Sequence, residues 1–293
     1  MDWDDVRVFL AVARASQMLS AAKRLGLNHA TVSRRVTSLE DALKTRLFIR
    51  RTNGCELTPA GEEFLNFAER METEMNAARS ALGEEDVAVA GTVRVGAPDG
   101  FGVSFLAPAL SKLVLRHPNL KVQLVPVPRY FSLSRRDADI AITVELPNQG
   151  RLVAKKLVDY SLALFASSSY LLDNPAPQTI LDLSSHRLIG YVEDLVVTPS
   201  LHYAPEMARD WNAGFEISSA LGQVEAVRAG GGIGILHSFI ARECNDLVPV
   251  LPSHRITRSY WLSYHESVRT LSRVRVVADF ISQAVHEAAD RFG

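Results

Sequence analysis

Residues 21–43, which read AAKRLGLNHATVSRRVTSLEDAL, decide the fold of the first part of the chain. Apolar residues recur at helical spacing up to Leu25, where Gly26-Leu27-Asn28 interrupts the pattern. Glycine favours the end of one helix, and asparagine favours the N-cap of the next. From His29 to about Leu43 a second helix is predicted by its buried seam of Val32, Val36, Leu39 and Leu43. Two helices joined by a short turn that contains glycine indicate a helix-turn-helix.

The neighbouring residues complete a small domain of this type. Asp4 to Ser16 carry one apolar stripe, which predicts a preceding amphipathic helix. Residues 47–58, LFIRRTNGCELT, read as a strand, an Asn-Gly turn and a second strand, and this pattern predicts a hairpin, or wing. The sequence therefore favours a winged helix-turn-helix over residues 1–58.

The helix from His29 has side chains suited to the major groove of double-stranded DNA. Compact or hydrogen-bonding side chains lie at its N-terminal end, where a recognition helix meets base edges. They are His29, Ala30, Thr31, Ser33 and Arg34. Arginines that can reach the phosphates are Arg34, Arg35, Arg50 and Arg51. The alternative is a plain three-helix bundle whose arginines are only solvated.

Charge is segregated along the chain although the net charge is only −1. Residues 1–58 hold ten Lys or Arg against six Asp or Glu, a net charge of +4. Residues 59–86 hold two against eight, a net charge of −6. A basic first domain indicates a polyanionic partner for that domain alone.

The first 61 residues resemble the LysR-type transcriptional regulators. The shared motifs are Ala21-Ala22-x-x-Leu25-Gly26-Leu27, Thr31-Val32-Ser33-Arg34-Arg35-Val36, Leu39-Glu40, Leu47-Phe48-x-Arg50 and Leu57-Thr58-x-x-Gly61. The resemblance implies that Asn28 to Arg35 read bases and that Arg50 is the wing arginine. Four positions depart from the family pattern: Leu19 replaces a usual Ser or Thr (Ser20 is a substitute hydroxyl), Lys44 replaces Gly, and Asn28-His29 replaces Ser-Gln. These departures leave the expected fold intact and the operator sequence open.

A long helix is predicted from Pro59 to about Gly83, with Thr58 as its N-cap and Glu62 near its positive end. Its apolar residues form a heptad seam of Phe64, Ala68, Met71, Met75, Ala78 and Leu82. The seam either packs on its own domain or pairs with a second chain. A long acidic helix between two domains favours the second alternative, and the family resemblance implies a homodimer, with a homotetramer by analogy. Residues 84–91 read as a hinge.

The remaining residues, 87–293, alternate short apolar runs with helical stretches and predict an α/β domain. The predicted strands are 92–97, 121–127, 140–144, 161–166, 188–191, 215–218, 234–237 and 259–264. The predicted helices are 103–116, 223–229 and 271–289. The region is similar to the family's effector-binding domain, which implies a two-lobed fold like that of periplasmic solute-binding proteins. Lobe I would be about 92–160 with 265–293, and lobe II about 161–264.

A small-molecule effector is expected between the lobes, where strand ends and helix N-termini converge. The candidate residues are Asp99, Gly100, Phe101, Pro128, Arg129, Val144, Tyr191 and Ser219. Asp99-Gly100 stands where the family often has Ser or Thr, so the turn admits a cationic or hydroxyl-rich ligand, and Arg129 is the opposing charge. The alternatives are that Asp99 is a helix cap, that Arg129 is a solvated loop residue and that Tyr191 is a core residue. His237 stands where the family commonly has Pro.

Other functions are disfavoured by missing motifs. Gly230 to Gly234 lack phosphate-loop spacing, neither GxSxG nor HExxH occurs, and the histidines show no ligand spacing. We therefore expect no enzyme activity, no cofactor and no metal, so an enzyme or a solute-binding protein is a remote alternative. A DNA-binding protein whose C-terminal domain serves only oligomerisation is the stronger rival. The sequence shows no secretory signal, no membrane span and no paired cysteines, since Cys55 and Cys244 stand far apart, and a cytoplasmic location is therefore expected. RNA polymerase is a further partner to consider.

Overall fold

The computed structural model describes residues 2–51, 54–81, 89–126, 138–147, 152–196, 199–269 and 271–293. The chain divides into two compact units. Unit 1 comprises residues 1–92 with 270–273, and unit 2 comprises residues 93–269 with 274–293.

Unit 1 begins with three helices, α1 (Trp3–Ala15), α2 (Met18–Leu25) and α3 (His29–Leu43). The predicted helix start at Asn28 is confirmed, since its side chain accepts a 2.7 Å hydrogen bond from the Thr31 amide. The apolar stripes form one core, in which Phe9, Val32 and Val36 are fully buried. Local capping and a shared apolar face therefore both act to define the helix-turn-helix.

All three helices end on a residue in the left-handed region. These residues are Ser16 (φ 53°), Gly26 (φ 64°) and Lys44 (φ 51°). Only glycine adopts this conformation without a steric penalty from a Cβ atom. At Lys44 the chain keeps the left-handed helix end that the family glycine would supply, and it does so with a side chain present.

The wing consists of β1 (Phe48–Arg51) and β2 (Gly54–Leu57), which are antiparallel with Phe48 opposite Leu57. The turn residues 52 and 53 lie outside the described residues. A backbone hydrogen bond of 2.8 Å from the Cys55 amide to the Ser16 carbonyl joins the wing to the end of α1. The hairpin that the sequence predicts is thus present and attached to the helical core.

Helix α4 spans Pro59–Ala81. The predicted N-cap is confirmed, because Thr58 Oγ1 accepts a 2.9 Å hydrogen bond from the Gly61 amide. A Cβ atom at Gly61 would lie 2.1 Å from the Leu47 carbonyl oxygen, so this close approach of helix and wing requires glycine.

The seam predicted for α4 is wrong at Ala68, and Phe64 is half-buried against its own unit. Ala68 is fully buried in the core of unit 1, and the Phe64 ring packs edge-on against Phe9 at 5.0 Å between centroids. Helical periodicity cannot distinguish a face that packs on its own domain from one that pairs with another chain. Met71 and Met75 remain 37% and 41% exposed, Ala78 is exposed, and Leu82 lies outside the described residues.

Unit 2 is built on a mixed sheet. Its described strands are β3 (Gly91–Ala97), β4 (Leu120–Pro126), β5 (Ile140–Thr143), β6 (Leu152–Ser167), β7 (Leu188–Gly190), β8 (Phe215–Glu216), β9 (Ile233–His237), β10 (Leu247–Pro249) and β11 (Arg255–His265). Their order is β4-β3-β5-β11-β6-β9-β7-β8, with β10 also paired to β6. Strands β3 and β5 are parallel, as are β7 with β8 and with β9, whereas β6 and β11 form a long antiparallel ribbon.

The ribbon of β6 and β11 lies in the middle of the sheet and is longer than the sequence predicts. The predicted strand 161–166 is only the second half of β6, because the exposed Lys155, Lys156 and Asp159 break the apolar pattern of the first half. The predicted lobe boundary between residues 160 and 161 falls inside β6. The boundary between residues 264 and 265 falls at the end of β11. The other strands flank the ribbon, with β5, β3 and β4 on one side and β9, β7 and β8 on the other.

The helices of unit 2 cover both parts of this sheet. They are α5 (Asp99–Phe101), α6 (Ala107–Arg116), α7 (Ser168–Asp173), α8 (Ala204–Met207), α9 (Ala220–Arg228), α10 (Ser238–Ala241) and α11 (Ser272–Glu287). A π-helical turn, Gly102–Leu106, joins α5 to α6, so the predicted helix 103–116 is the continuation of one that begins at Asp99. Short 3-10 turns account for much of the chain between 180 and 201.

Candidate DNA-binding surface and ligand cleft

The N-terminal end of α3 presents most of the predicted base-reading residues to solvent. Asn28, His29, Ala30 and Arg34 are exposed, while Thr31 and Ser33 are half-buried. Asn28 Oδ1 is already used by the helix cap, so its amide nitrogen is the group left for a base edge. The exposed strip is narrow, continuous and supported from below by the buried Val32 and Val36.

The two adjacent arginines of α3 have different environments. Arg34 is exposed and has no ion pair with any other described residue. Arg35 is directed toward α1, where its guanidinium lies 3.4 Å from a carboxylate oxygen of Asp4 and 3.3 Å from one of Asp5. Arg35 therefore holds α3 against α1, and Arg34 is the arginine that α3 offers to an external anion.

The wing is held to α3 by a buried carboxylate. Glu40, 3% exposed, accepts hydrogen bonds from the amides of Leu47 (2.7 Å) and Phe48 (3.1 Å) and from Arg46 (2.7 Å). Burial raises the pKa of the Glu40 carboxyl, but these hydrogen bonds outweigh burial and the pKa is lowered. The charged form of Glu40 thus fixes where the wing leaves α3.

Of the two wing arginines, only Arg51 has a described side chain. It pairs with Glu56 across the hairpin at 3.3 Å, and both side chains are more than half exposed. Exposed pairs of this kind contribute little, so Arg51 can exchange Glu56 for a phosphate at small cost. The side chain of Arg50 lies outside the described residues, although its backbone pairs with Cys55.

In unit 2 two of the predicted effector-binding residues meet across the ribbon. Asp99 follows β3, on one side of the β6–β11 ribbon, and Ser219 precedes α9 on the other side. The Ser219 hydroxyl donates a 2.7 Å hydrogen bond to Asp99 Oδ2 and also caps α9 by accepting from the Gly222 amide at 3.0 Å. The half-buried Tyr191 follows β7 and lies near enough that burial, and then the Asp99 carboxylate, raise its pKa.

The other predicted cleft residues differ from expectation. Phe101 is fully buried among Phe105, Tyr260 and Phe292, so it belongs to the aromatic core and cannot contact a ligand. The helix from Asp99 turns the side chain two residues later away from the cleft. Gly100 is also buried, and a Cβ there would lie 3.1 Å from both Ala220 and Ile240, so it serves close packing.

Of the remaining predicted residues, Val144 is half-buried beyond the end of β5. Pro128 and Arg129 lie outside the described residues. Next to Val144, Glu145 Oε1 accepts a 2.9 Å hydrogen bond from the Ser200 amide, which is a second bond between segments on opposite sides of the ribbon. Arg258 of β11 donates to the Ser200 carbonyl at 3.0 Å and holds this segment in place.

His237 was noted in the sequence only as a departure from the family pattern, yet it lies at this site. It ends β9, is half-buried, and stacks on Tyr160 with 5.2 Å between ring centroids. Burial lowers the pKa of His237 to about 4, while Asp99 acts in the opposite direction. The ring is therefore neutral at pH 7.

Tyr203 and Gln223 were missed because no local pattern marks them. Both are buried, and they line a cavity of about 120 Å³ together with Tyr191 and Trp211. The cavity lies at the carboxyl ends of β7 and β8, where ligands bind in α/β sheets. That rule of strand ends is the signal that could have located Tyr203 and Gln223, once β7 and β8 were known to be neighbours.

The described residues contain neither a candidate metal site nor a candidate membrane span. Within those ranges no group of three or more His, Cys, Asp or Glu side chains is arranged to hold a metal ion. Over the same part of the chain, no helix has the length and apolar character needed to cross a membrane.

Comparison with known proteins places both units in one family. Residues 3–62 match the bacterial regulatory helix-turn-helix domain of the lysR family, and residues 88–285 match the LysR substrate binding domain. The chain is 27% identical to the transcriptional activator TtdR of Escherichia coli over 95% of this chain and 92% of that protein. It is 31% identical to an HTH-type transcriptional regulator of Xanthomonas campestris over 64% of this chain and 55% of that protein.

Among solved structures, CrgA, a LysR-type transcriptional regulator from Neisseria meningitidis, is similar with a TM-score of 0.63 and 26% identity. The similarity covers 97% of this chain and 99% of that chain. The fold, the helix-turn-helix and the α/β domain agree with the expectation from sequence. The chain belongs to the LysR family and is a DNA-binding transcription regulator whose C-terminal domain binds an effector.

Proposed function

We propose that the exposed strip of α3 reads operator bases in the major groove and that the cleft at Asp99 and Ser219 takes the effector. In this proposal residues 1–58 bind DNA, 59–86 link and dimerise, and 87–293 form the two lobes of the effector domain. The observation that carries it is the 2.7 Å hydrogen bond between Ser219 and Asp99, because it joins the two sides of the central ribbon at the site.

For DNA reading, base contacts fall to Asn28, His29, Ala30, Thr31, Ser33 and Arg34. Arg34 is the strongest candidate for a bidentate contact to guanine, since it is exposed and has no described ion pair. Phosphate contacts fall to Arg50 and Arg51 of the wing. Arg35 contributes indirectly, by holding α3 to α1.

For effector control, a ligand that enters the cleft competes with the bonds that now join its two sides. Asp99 and Ser219 form one of these bonds, and Glu145 and the Ser200 amide form the other. A ligand shifts the arrangement of the two lobes only by as much as its affinity differs between arrangements. Tyr191, Tyr203 and Gln223 line the adjoining cavity, and His237 lies close enough to Asp99 to be affected by its charge, so we expect these side chains to contact the ligand.

We further propose a homodimer through the exposed Met71, Met75 and Ala78 of α4, with a tetramer as the larger assembly. The seam of α4 supports pairing even without Phe64 and Ala68. Met71 and Met75 are large apolar residues that an unpaired helix exposes to water. In this proposal the partners of the protein are promoter DNA and RNA polymerase. The protein acts in the cytoplasm and is not an enzyme.

The test starts with the full-length protein and a random DNA library, from which the operator is selected and its affinity measured by fluorescence anisotropy. Metabolites that raise the thermal midpoint of the protein are then tested for a change in that affinity. We expect at least one to change it, and expect Ser219→Ala to alter the size of the change. A ligand whose stabilising effect and operator effect are both the same in Ser219→Ala and in the exposed control Ser253→Ala would contradict the assignment of the cleft.

A further inference from the structure

We propose that the effector carries an organic ammonium group, recognised by Asp99 and by the acidic, aromatic lining of the adjoining cavity. This inference rests on the proposed effector cleft and adds the chemical class of its ligand.

The first observation is that Asp99 has no cationic partner among the described residues. Its side chain accepts a hydrogen bond from Ser219, and no described Lys, Arg or His forms an ion pair with it. Its charge influences the nearby phenols of Tyr191 and Tyr203 and the imidazole of His237. His237, whose pKa is lowered to about 4 by burial, supplies no positive charge at neutral pH. A half-buried carboxylate that no described cation pairs with favours a ligand that brings a positive charge.

The second observation is the composition of the cavity. Its lining includes Glu193 and Glu216 and contains neither lysine nor arginine. The only described ion pair of Glu193 is with His202, at 3.5 Å. Glu193 and Glu216 are both exposed, so they place two carboxylates at the solvent-facing part of the lining, where they favour an ammonium group over a carboxylate.

The third observation concerns the walls. Tyr191, Tyr203 and Trp211 all line the cavity, and aromatic faces attract cations through their quadrupole. A volume of about 120 Å³ admits a small organic ammonium with an apolar body.

The binding mode follows from these groups. The ammonium group donates hydrogen bonds to Asp99, replacing or sharing the hydroxyl of Ser219, and its carbon body lies against the tyrosine rings. An ionised donor and an ionised acceptor form a stronger hydrogen bond than Ser219 forms with Asp99 now. The binding free energy of the ammonium group therefore depends on replacing or sharing the Asp99–Ser219 contact, which joins the two sides of the ribbon.

The experiment uses three probes of nearly equal shape, benzylamine, benzyl alcohol and benzoate, with the full-length protein in isothermal titration calorimetry at pH 7. We expect benzylamine to bind about tenfold or more tightly than benzyl alcohol, and benzoate not to bind. Asp99→Asn and Glu216→Gln should each remove most of that preference, whereas Glu225→Gln, on an exposed part of α9, should keep it.

Equal affinity for the amine and the alcohol, or no binding of any probe, would overturn the ammonium assignment. Tighter binding of benzoate that is lost in Tyr203→Phe would keep the cleft as the ligand site and overturn the ligand class. Operator affinity is measured in the same samples. A bound amine that leaves operator affinity unchanged contradicts the proposed effector control and leaves the ammonium site standing.

Discussion

The DNA-reading strip and the ligand cleft are built in opposite ways. The strip uses consecutive turns of one helix, starting at Asn28, and most of its side chains are exposed. The cleft joins Asp99 to Ser219, which are 120 positions apart, and its side chains are half-buried. A site on one helix inherits its geometry from local backbone preferences, whereas a site at strand ends exists only after the sheet order is set.

The largest expected effect tests whether the DNA-reading strip of a single chain is sufficient for tight operator binding. Met71→Glu with Met75→Glu places two carboxylates on the exposed part of α4. We expect loss of the dimer and a fall in operator affinity of about 100-fold or more, because two linked heads bind two half-sites. Analytical ultracentrifugation and anisotropy measure both quantities, with the exposed Glu74→Gln as control. A double variant that keeps the dimer mass would show that these methionines are not the interface.

The second effect concerns Glu40, a long-range element within the otherwise local DNA-binding unit. Glu40→Gln should lower the free energy of unfolding of this unit by about 1.5–3 kcal/mol, since hydrogen bonds to a buried charge are lost or weakened. Glu56→Gln in the exposed wing pair is the control and should cost about 0–1 kcal/mol. Differential scanning calorimetry of the full chain measures both.

The effect of Glu40 should also depend on pH. The pKa of Glu40 in the folded protein is lowered from its usual value of 4.5, so its stabilisation is fully present above that value and is lost as pH falls through the folded pKa. The difference between wild type and Glu40→Gln should therefore be constant near neutral pH and shrink on acidification below about 4.5. A difference that grew on acidification would show that the carboxyl is not charged in the folded protein.

The third effect separates the two arginines of α3. Arg34→Ala should reduce discrimination between operator and random DNA by about 1–3 kcal/mol, whereas Arg35→Ala should lower the thermal midpoint and keep most of the discrimination. Arg35 is engaged by Asp4 and Asp5, and Arg34 is not. Competition anisotropy with both DNAs measures the ratio. Equal losses on both DNAs in Arg34→Ala would assign this side chain to a phosphate.

The smallest effect concerns the ends of the helices. Lys44→Gly should stabilise the unit by about 0.5–1 kcal/mol, because Lys44 is left-handed at φ 51°. Gly26→Ala should destabilise it by a similar amount, since nothing lies within 4 Å of a Cβ there and the cost is conformational only. Urea unfolding measures both, and a neutral result for both would mean that the left-handed ends are not strained.

The sequence was informative where the physical signal is local. Asn28, Gly26 and Thr58 are recognised from capping preferences, and each lies at the helix end expected. Ala68 was assigned to the wrong partner, because a helical stripe records that a face is buried and not against what. Tyr203 and His237 were not assigned to the cleft, because their neighbours there come from strands whose order no single segment encodes.

The position of β11 has a consequence for synthesis of the protein. This strand lies between β5 and β6 in the sheet, but the ribosome makes it more than one hundred residues after β5. Until then both earlier strands present unpaired edges, which invite pairing with other nascent chains. Phe292, fully buried against Phe101, Phe105 and Phe239, arrives later still. The DNA-reading helices are thus complete early, while the effector domain completes its core only after β11 and Phe292 have emerged.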